Sequence, residues 1–258
     1  MKKTIFLCGL SLLGFATLSA QSKGADKSIR FGLRMSPGLG WIKPKVAGAL
    51  PNFAGKSDGS KLFFSGGIMI EKKITDNVYL ATGADIVYAG GKMAYSDSLR
   101  ANPYQDDIKY TPTAIRTTQI SYTTQSVEIP LTLKLKSSEM NLMQFFGQIG
   151  LSVGMRFKGK VTRTDSYGGF TPAGLVAPSN YEVGSTANSD KTLSYLNPFR
   201  AALVIGGGMD YNISDSNTLV ASLTYNNGFI NQLAQRNENG AKVTGNTNYL
   251  QLNIGVLF

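Results

Sequence analysis

Tyr249-Leu-Gln-Leu-Asn-Ile-Gly-Val-Leu-Phe258 closes the chain. Leu250, Leu252, Ile254, Val256 and Phe258 share one face of an extended strand, and Tyr249, Gln251, Asn253 and Gly255 share the other. Side chains alternate across a strand with a period of two, so this stretch has one apolar face and one mostly polar face. The apolar face needs a cover. In the edge strand of a soluble sandwich a second protein layer supplies it; in a membrane barrel lipid does. The segment alone admits both, and the rest of the chain decides.

Seven more stretches alternate in the same way. Ile29, Phe31, Leu33 and Met35 oppose Arg30, Gly32, Arg34 and Ser36. Phe64, Ile68 and Ile70 oppose Ser65, Gly67 and Glu71, and Val78, Leu80, Ala84, Ile86 and Tyr88 oppose Ala81, Gly83 and Asp85. Val127 to Leu135 alternates throughout but contains Pro130, which has no N–H to give and predicts a bulge. Phe145, Ile149, Leu151, Val153, Met155 and Phe157 oppose Gln148, Ser152 and Arg156. Phe199, Ala201, Leu203, Ile205, Met209 and Tyr211 oppose Arg200, Gly206, Gly208 and Asp210. Leu219, Ala221, Leu223 and Tyr225 oppose Ser222, Thr224 and Asn226.

The connections alternate in length. Thr75-Asp-Asn77, Ser137–Asn141 and Ser214–Asn217 predict tight turns, while about 37–60, 89–123, 158–196 and 227–247 predict long loops rich in Gly, Ser, Thr and Asn. Long external loops and short periplasmic turns are the pattern of outer-membrane barrels, and a soluble sandwich has no reason to place every short turn at one end. The expected fold is therefore all-β, an eight-stranded antiparallel transmembrane β-barrel with four long external loops and three short periplasmic turns. Trp41, Phe64, Tyr88, Phe157, Phe199 and Tyr225 fall on the apolar face near the long-loop end of their strands, where an interfacial aromatic girdle is expected.

The start of the chain fits this compartment. Lys2 and Lys3 precede an apolar core from Ile5 to Ala16, and Leu18-Ser19-Ala20 forms a small-residue cleavage site before Gln21. That is the pattern of a secretory signal peptide over residues 1–20, with one barrel domain over 21–258. Cys8 lies too early to be a lipoprotein acceptor and is the sole cysteine, so the expected mature chain carries no disulfide. Beyond the signal no run of 18 apolar residues offers a transmembrane helix.

The opposite face of the strands carries Arg30, Arg34, Lys134, Arg156 and Arg200 together with Glu71, Asp85, Glu128 and Asp210. Eight strands enclose just enough room for side chains. These nearly balanced charges are expected to pair across the lumen, since an unpaired buried charge is costly. The chain has no histidine, which removes the usual general base and the commonest metal ligand. Asp106-Asp107 falls short of the six to eight oxygens that calcium takes. Gly206-Gly-Gly208 is followed by no Lys-Ser/Thr and no helix, so it is no phosphate loop. No catalytic, cofactor or metal set is expected.

The 26 Lys and Arg, less Lys2 and Lys3, stand against 16 Asp and Glu and leave a charge of +8 after cleavage. Lys56, Lys61, Lys92, Arg116, Lys158, Lys160 and Arg163 lie in or beside long loops, where they face either solvent or the phosphates of lipopolysaccharide. Nucleic acid is not an expected partner.

Several segments resemble a known family. The end strand, with Leu250, Leu252, Ile254, Val256 and the terminal Phe258, resembles the last strand of Gram-negative outer-membrane barrels, which the barrel-assembly machinery recognises. Val127-Glu-Ile-Pro-Leu-Thr-Leu-Lys134 is similar to the "LEIPL" strand of the PorT-like outer-membrane barrels of the Bacteroidetes. Asn197-Pro-Phe199 followed by Leu203, Gly206, Gly208 and Tyr211 is similar to their sixth strand, and Phe31-Gly-Leu-Arg34 and Gly255-Val-Leu-Phe258 fit their ends. The resemblance implies a non-enzymatic outer-membrane barrel that assists type IX secretion and the maturation of secreted proteases, with secretion-system components as partners. A structural or adhesive barrel and a small porin-like pore are the alternatives.

Overall fold

The computed structural model describes residues 28–46, 55–100, 113–168, 179–182, 196–233, 235–236 and 242–258. The signal-peptide stretch and Asp106-Asp107 lie outside them. The elements are β1 (Ile29–Val46), β2 (Lys56–Lys73), β3 (Val78–Arg100), β4 (Thr113–Lys136), β5 (Met143–Gly168), β6 (Ser179–Glu182), β7 (Phe199–Asn212), β8 (Thr218–Gly228), β9 (Gln235–Arg236) and β10 (Lys242–Leu257). Neighbours pair antiparallel in the order β1-β2-β3-β4-β5-β7-β8-β10, and β10 pairs back onto β1. Eight staves thus form a closed ring with no free edge, which satisfies the backbone within the wall and allows the wall to face lipid. The short β6 and β9 are additions to β5 and β10.

Three tight turns lie at the end that holds both Ser28 and Phe258. The amide of Phe258 donates to the Phe31 carbonyl at 2.7 Å and fastens the last residue to the first stave. One of the turns bridges Met140 and Met143, with Asn141 and Leu142 at φ 49° and 68°. Two successive left-handed residues match the twist of a hairpin.

The staves at the other end are much longer than the alternation predicts. Residues expected in loops at 37–46, 56–60, 89–100, 113–123, 158–168 and 242–247 are strand. Gly and Pro signalled breaks, yet several of these glycines mark close packing. A Cβ on Gly91 would lie 2.8 Å from the Tyr122 hydroxyl and 3.1 Å from the Ile42 backbone nitrogen. A Cβ on Gly40 would lie 2.9 Å from the Gly90 carbonyl. β1 stops pairing with β2 at Gly40–Lys61 but continues along β10 to Val46. The upper part of β1 therefore leans across the mouth onto β3, and only glycine permits that approach.

The bulge expected at Pro130 is absent. Thr82–Leu131 and Asp85–Glu128 keep one register across it, and Pro130 pairs opposite Ser152 on β5. The Thr82 hydroxyl donates to the Pro130 carbonyl at 2.8 Å. A bulge occurs higher on β5, where Gln125 pairs with Lys158 and Ser126 with Arg156, leaving Phe157 as the extra residue.

Outside, β4 exposes Val127, Ile129, Leu131, Leu133 and Leu135. Those positions span about 27 Å along the strand, or roughly 20 Å in height at the usual ~40° tilt, which fits an apolar band ~25 Å tall.

Candidate functional site

The inward face of the lower barrel is charged. Glu71 on β2 is 2 % exposed and accepts from Arg30 and Lys136, each at 2.9 Å, and from Lys134. Lys136 also pairs with Asp210, and Arg30 donates to the Thr218 hydroxyl at 3.2 Å. Aromatic faces absorb the excess positive charge: Lys136 lies 4.2 Å from the Tyr79 ring centre and Lys134 4.4 Å from that of Phe146. Higher up, Arg34 grips both oxygens of Asp85, a two-point geometry that suits a guanidinium.

A second cluster lies above it. Arg200 pairs with Glu128 at 2.8 Å and sits 4.1 Å from the centre of the Tyr249 ring. Ser152 and Ser126 also donate to Glu128, at 3.2 and 3.4 Å. Arg156 is held by neutral acceptors, the carbonyls of Asn197 and Phe199 and Oε1 of Gln232 at 2.8 Å. Between the clusters Asn253 Oδ1 accepts a hydrogen bond from the Ser36 hydroxyl, and its Nδ2 donates to the hydroxyls of Ser222 and Thr224. A cavity of about 50 Å³ lined by Arg34, Asp85, Glu128, Lys134, Gln251 and Asn253 has room for a few water molecules.

The upper interior is apolar. Ile42, Met93, Tyr95, Ile120, Tyr122, Val161, Leu196, Leu233 and Val243 form one buried cluster that fills the mouth. The segment before β9 folds into it. Gln232 donates its amide to the Gly245 carbonyl at 2.8 Å, and Asn231 Oδ1 accepts from the amides of Gly245 and Leu233.

The nine charged residues picked from the sequence, Arg30, Arg34, Glu71, Asp85, Glu128, Lys134, Arg156, Arg200 and Asp210, all point inward, gathered into two clusters and the Arg34–Asp85 pair. Phe64, Tyr88, Phe157, Phe199 and Tyr225 point outward, and the Trp41 ring stacks on Tyr225 with centroids 6.0 Å apart. Leu250, Leu252 and Ile254 are exposed on the outer wall beside half-buried Val256 and Phe258. Lys136, fully buried between Glu71 and Asp210, was missed because the strand was ended at Leu135; its spacing of two from Lys134 is the signal that would have found it. The apolar plug and Gln232 were missed because their residues were read as loop. Among the described residues, no group of three or more His, Cys, Asp or Glu is placed to hold a metal.

A closed ring of eight antiparallel staves, apolar outside and polar within, defines a membrane barrel of the outer-membrane type. The chain belongs to the outer membrane protein β-barrel domain family, whose model matches residues 19–234. Among solved structures it is similar to Neisserial surface protein A at 13 % identity, with 88 % of this chain and 95 % of that one covered and a TM-score of 0.39. The attachment invasion locus protein Ail of Yersinia pestis matches at 11 % identity, 88 % and 98 % coverage and a TM-score of 0.26. The outer membrane protease OmpT of Escherichia coli matches at 10 % identity, 92 % and 99 % coverage and a TM-score of 0.34. A search of curated protein sequences returns no match.

Proposed function

We propose that this chain is a sealed, non-enzymatic barrel of the outer membrane that works through its extramembrane wall as an accessory to protein export, the role that its PorT-like segments imply. The observation that carries the sealed reading is the filled interior. A lower charge network, the Arg200–Glu128 pair beneath Tyr249 and the apolar cluster around Tyr122 follow one another along the axis. An ion would have to break buried pairs and then cross a dry plug. The chain's lack of histidine supports a role without catalysis. Lipid covers the outward Leu and Ile rows, the aromatic row from Trp41 to Tyr225 marks the upper boundary, and the C-terminal strand serves the assembly machinery.

Two measurements test this. In planar bilayers the folded protein gives no stable conductance steps; ion-selective steps would replace the sealed reading with a porin-like one, for which the lumen cavity is the one favourable observation. Deletion of the gene lowers extracellular protease activity and leaves precursors in the periplasm. An unchanged secreted fraction overturns the export role and leaves a structural or adhesive barrel.

A further inference from the structure

We infer that the segment 229–233 is a strap that lifts from the outer mouth of the barrel and uncovers a site for a small carboxylate, with Arg156 and Arg200 as its guanidinium ligands. This assignment rests on the sealed reading above and adds a lid and a ligand class to it.

Chain outside the staves helps to close the mouth. Among the described residues, seven of the nine in the apolar plug stand on staves, and Leu196 and Leu233 do not. These two pair in an isolated bridge. β8 ends at Gly228, and the chain then turns inward, from exposed Phe229 to fully buried Gln232 and Leu233. A few bonds seat it. The amides of Phe229 and Gln232 donate to the carbonyls of Ala201 and Gly245 at 3.1 and 2.8 Å, and the Asn197 amide donates to the Gln232 carbonyl at 2.9 Å. Asn231 Oδ1 accepts from the Gly245 amide at 2.7 Å. β8, by contrast, is paired on both sides from Thr218 to Asn227. A segment with few ladder bonds opens at lower free energy than a stave held on both edges.

Beneath the strap lie two guanidinium groups and one carboxylate. Gln232 Oε1 accepts from Arg156 Nη2 at 2.8 Å, and this bond latches the strap to the wall. Arg156 otherwise donates to the carbonyls of Asn197 and Phe199, and among the described residues it makes no ion pair. Arg200 lies beside the strap. The register of β7 on β8 pairs Ala202 with Gly228, and continued upward it sets Ile230 next to Arg200. Arg200 Nη1 donates to Glu128 at 2.8 Å. Its Nε and Nη2, like Nε2 of Gln232, are buried without an acceptor among the described residues. Unpaired buried donors raise the free energy of the seated state and are hydrated once the strap leaves. Glu128 cancels one guanidinium, so the uncovered site keeps an excess positive charge. A planar carboxylate matches the guanidinium fork and supplies the acceptors that Arg200 lacks. The cavity that Glu128 and Ser152 line lies directly below.

The test is the alkylation rate of a cysteine at position 152, where Ser152 lines the cavity and donates to Glu128. Ser152→Cys is placed in a Cys8→Ser background, and the folded barrel in detergent is treated with iodoacetate or its neutral analogue iodoacetamide. Each rate is scaled to that of Ser216→Cys on an exposed turn. With the strap intact both rates are low. Gln232→Ala/Leu233→Ala removes latch and anchor and raises them by more than about tenfold, with iodoacetate gaining about fivefold on iodoacetamide. Adding Arg156→Gln abolishes that preference and leaves the iodoacetamide rate high. Rates that stay low in the strap variant overturn the strap. A strap variant alkylated faster, but equally by both reagents, overturns the carboxylate site. If the intact strap admits iodoacetamide as fast as Ser216→Cys does, the sealed reading itself fails, and the strap with it. Heat-modifiable gel mobility reports folding separately, and if the double variant does not fold, Gln232→Ala alone carries the same comparison.

Discussion

From Lys136 to Ser126, β4 turns Leu135, Leu133, Leu131, Ile129 and Val127 outward and Lys136, Lys134, Thr132, Glu128 and Ser126 inward. From Gln125 to Thr118 the same strand turns Gln125, Thr123, Ser121 and Gln119 outward and brings Tyr122 and Ile120 inward. The period is unchanged; the polarity is reversed. β3 does the same, passing from Ile86 and Tyr88 outside to Lys92 outside, and from Asp85 inside to Met93 and Tyr95 inside. On β10 the outward row passes from Leu252 and Leu250, beyond buried Asn248, to half-buried Asn246 and Thr244, and the inward row from Asn253 to Val243. Lipid solvates the lower wall and water the upper, and each half hides the residues its own solvent rejects. The switch on β4 falls at Gln125–Ser126, opposite the bulge at Phe157.

The comparison can be broken at its lower half first. Glu71→Gln leaves Arg30, Lys134 and Lys136 facing Asp210, and breaking a buried network this way costs about 3–5 kcal/mol. Urea unfolding in lipid vesicles measures it, and a loss below ~1 kcal/mol would mean that water already screens the lower lumen. Next, Leu131→Arg places a charge in mid-bilayer and costs about 2–4 kcal/mol in the same assay, while Gln119→Arg, exposed on the same outward row above the switch, costs close to nothing. Equal costs would erase the boundary. Gly91→Val drives a side chain against Tyr122 and Ile42 and costs about 1–3 kcal/mol. Hydrogen exchange is expected to quicken in the upper halves of β1 and β3 and stay slow below. The smallest effect is Thr82→Val, which removes the bond to the Pro130 carbonyl and costs about 1 kcal/mol, again by urea unfolding.

The barrel was legible because Val127 to Leu135 and Leu250 to Phe258 alternate without interruption and need lipid on one face. The upper wall was not legible for a physical reason. Its outward residues are Ser, Thr, Gln and Lys, and its close contacts use Gly40, Gly90 and Gly91, so composition there mimics a loop. Tyr122 and Ile120, two apart and buried, carry the strand signal with the sign reversed. The inward charges could be taken from parity alone, whereas their partners depend on register: nothing local says that Lys136 meets Asp210 across 74 residues.

The lean of β1 onto β3 and the plug beneath it make the upper wall stiff. The stretch Thr113–Gln125 of β4 rises about 40 Å along the strand and about 30 Å above the hydrocarbon edge at the usual tilt. A partner that meets the strands above the lipid meets backbone already paired from β3 to β5, and is spared the entropy of ordering those stretches on contact.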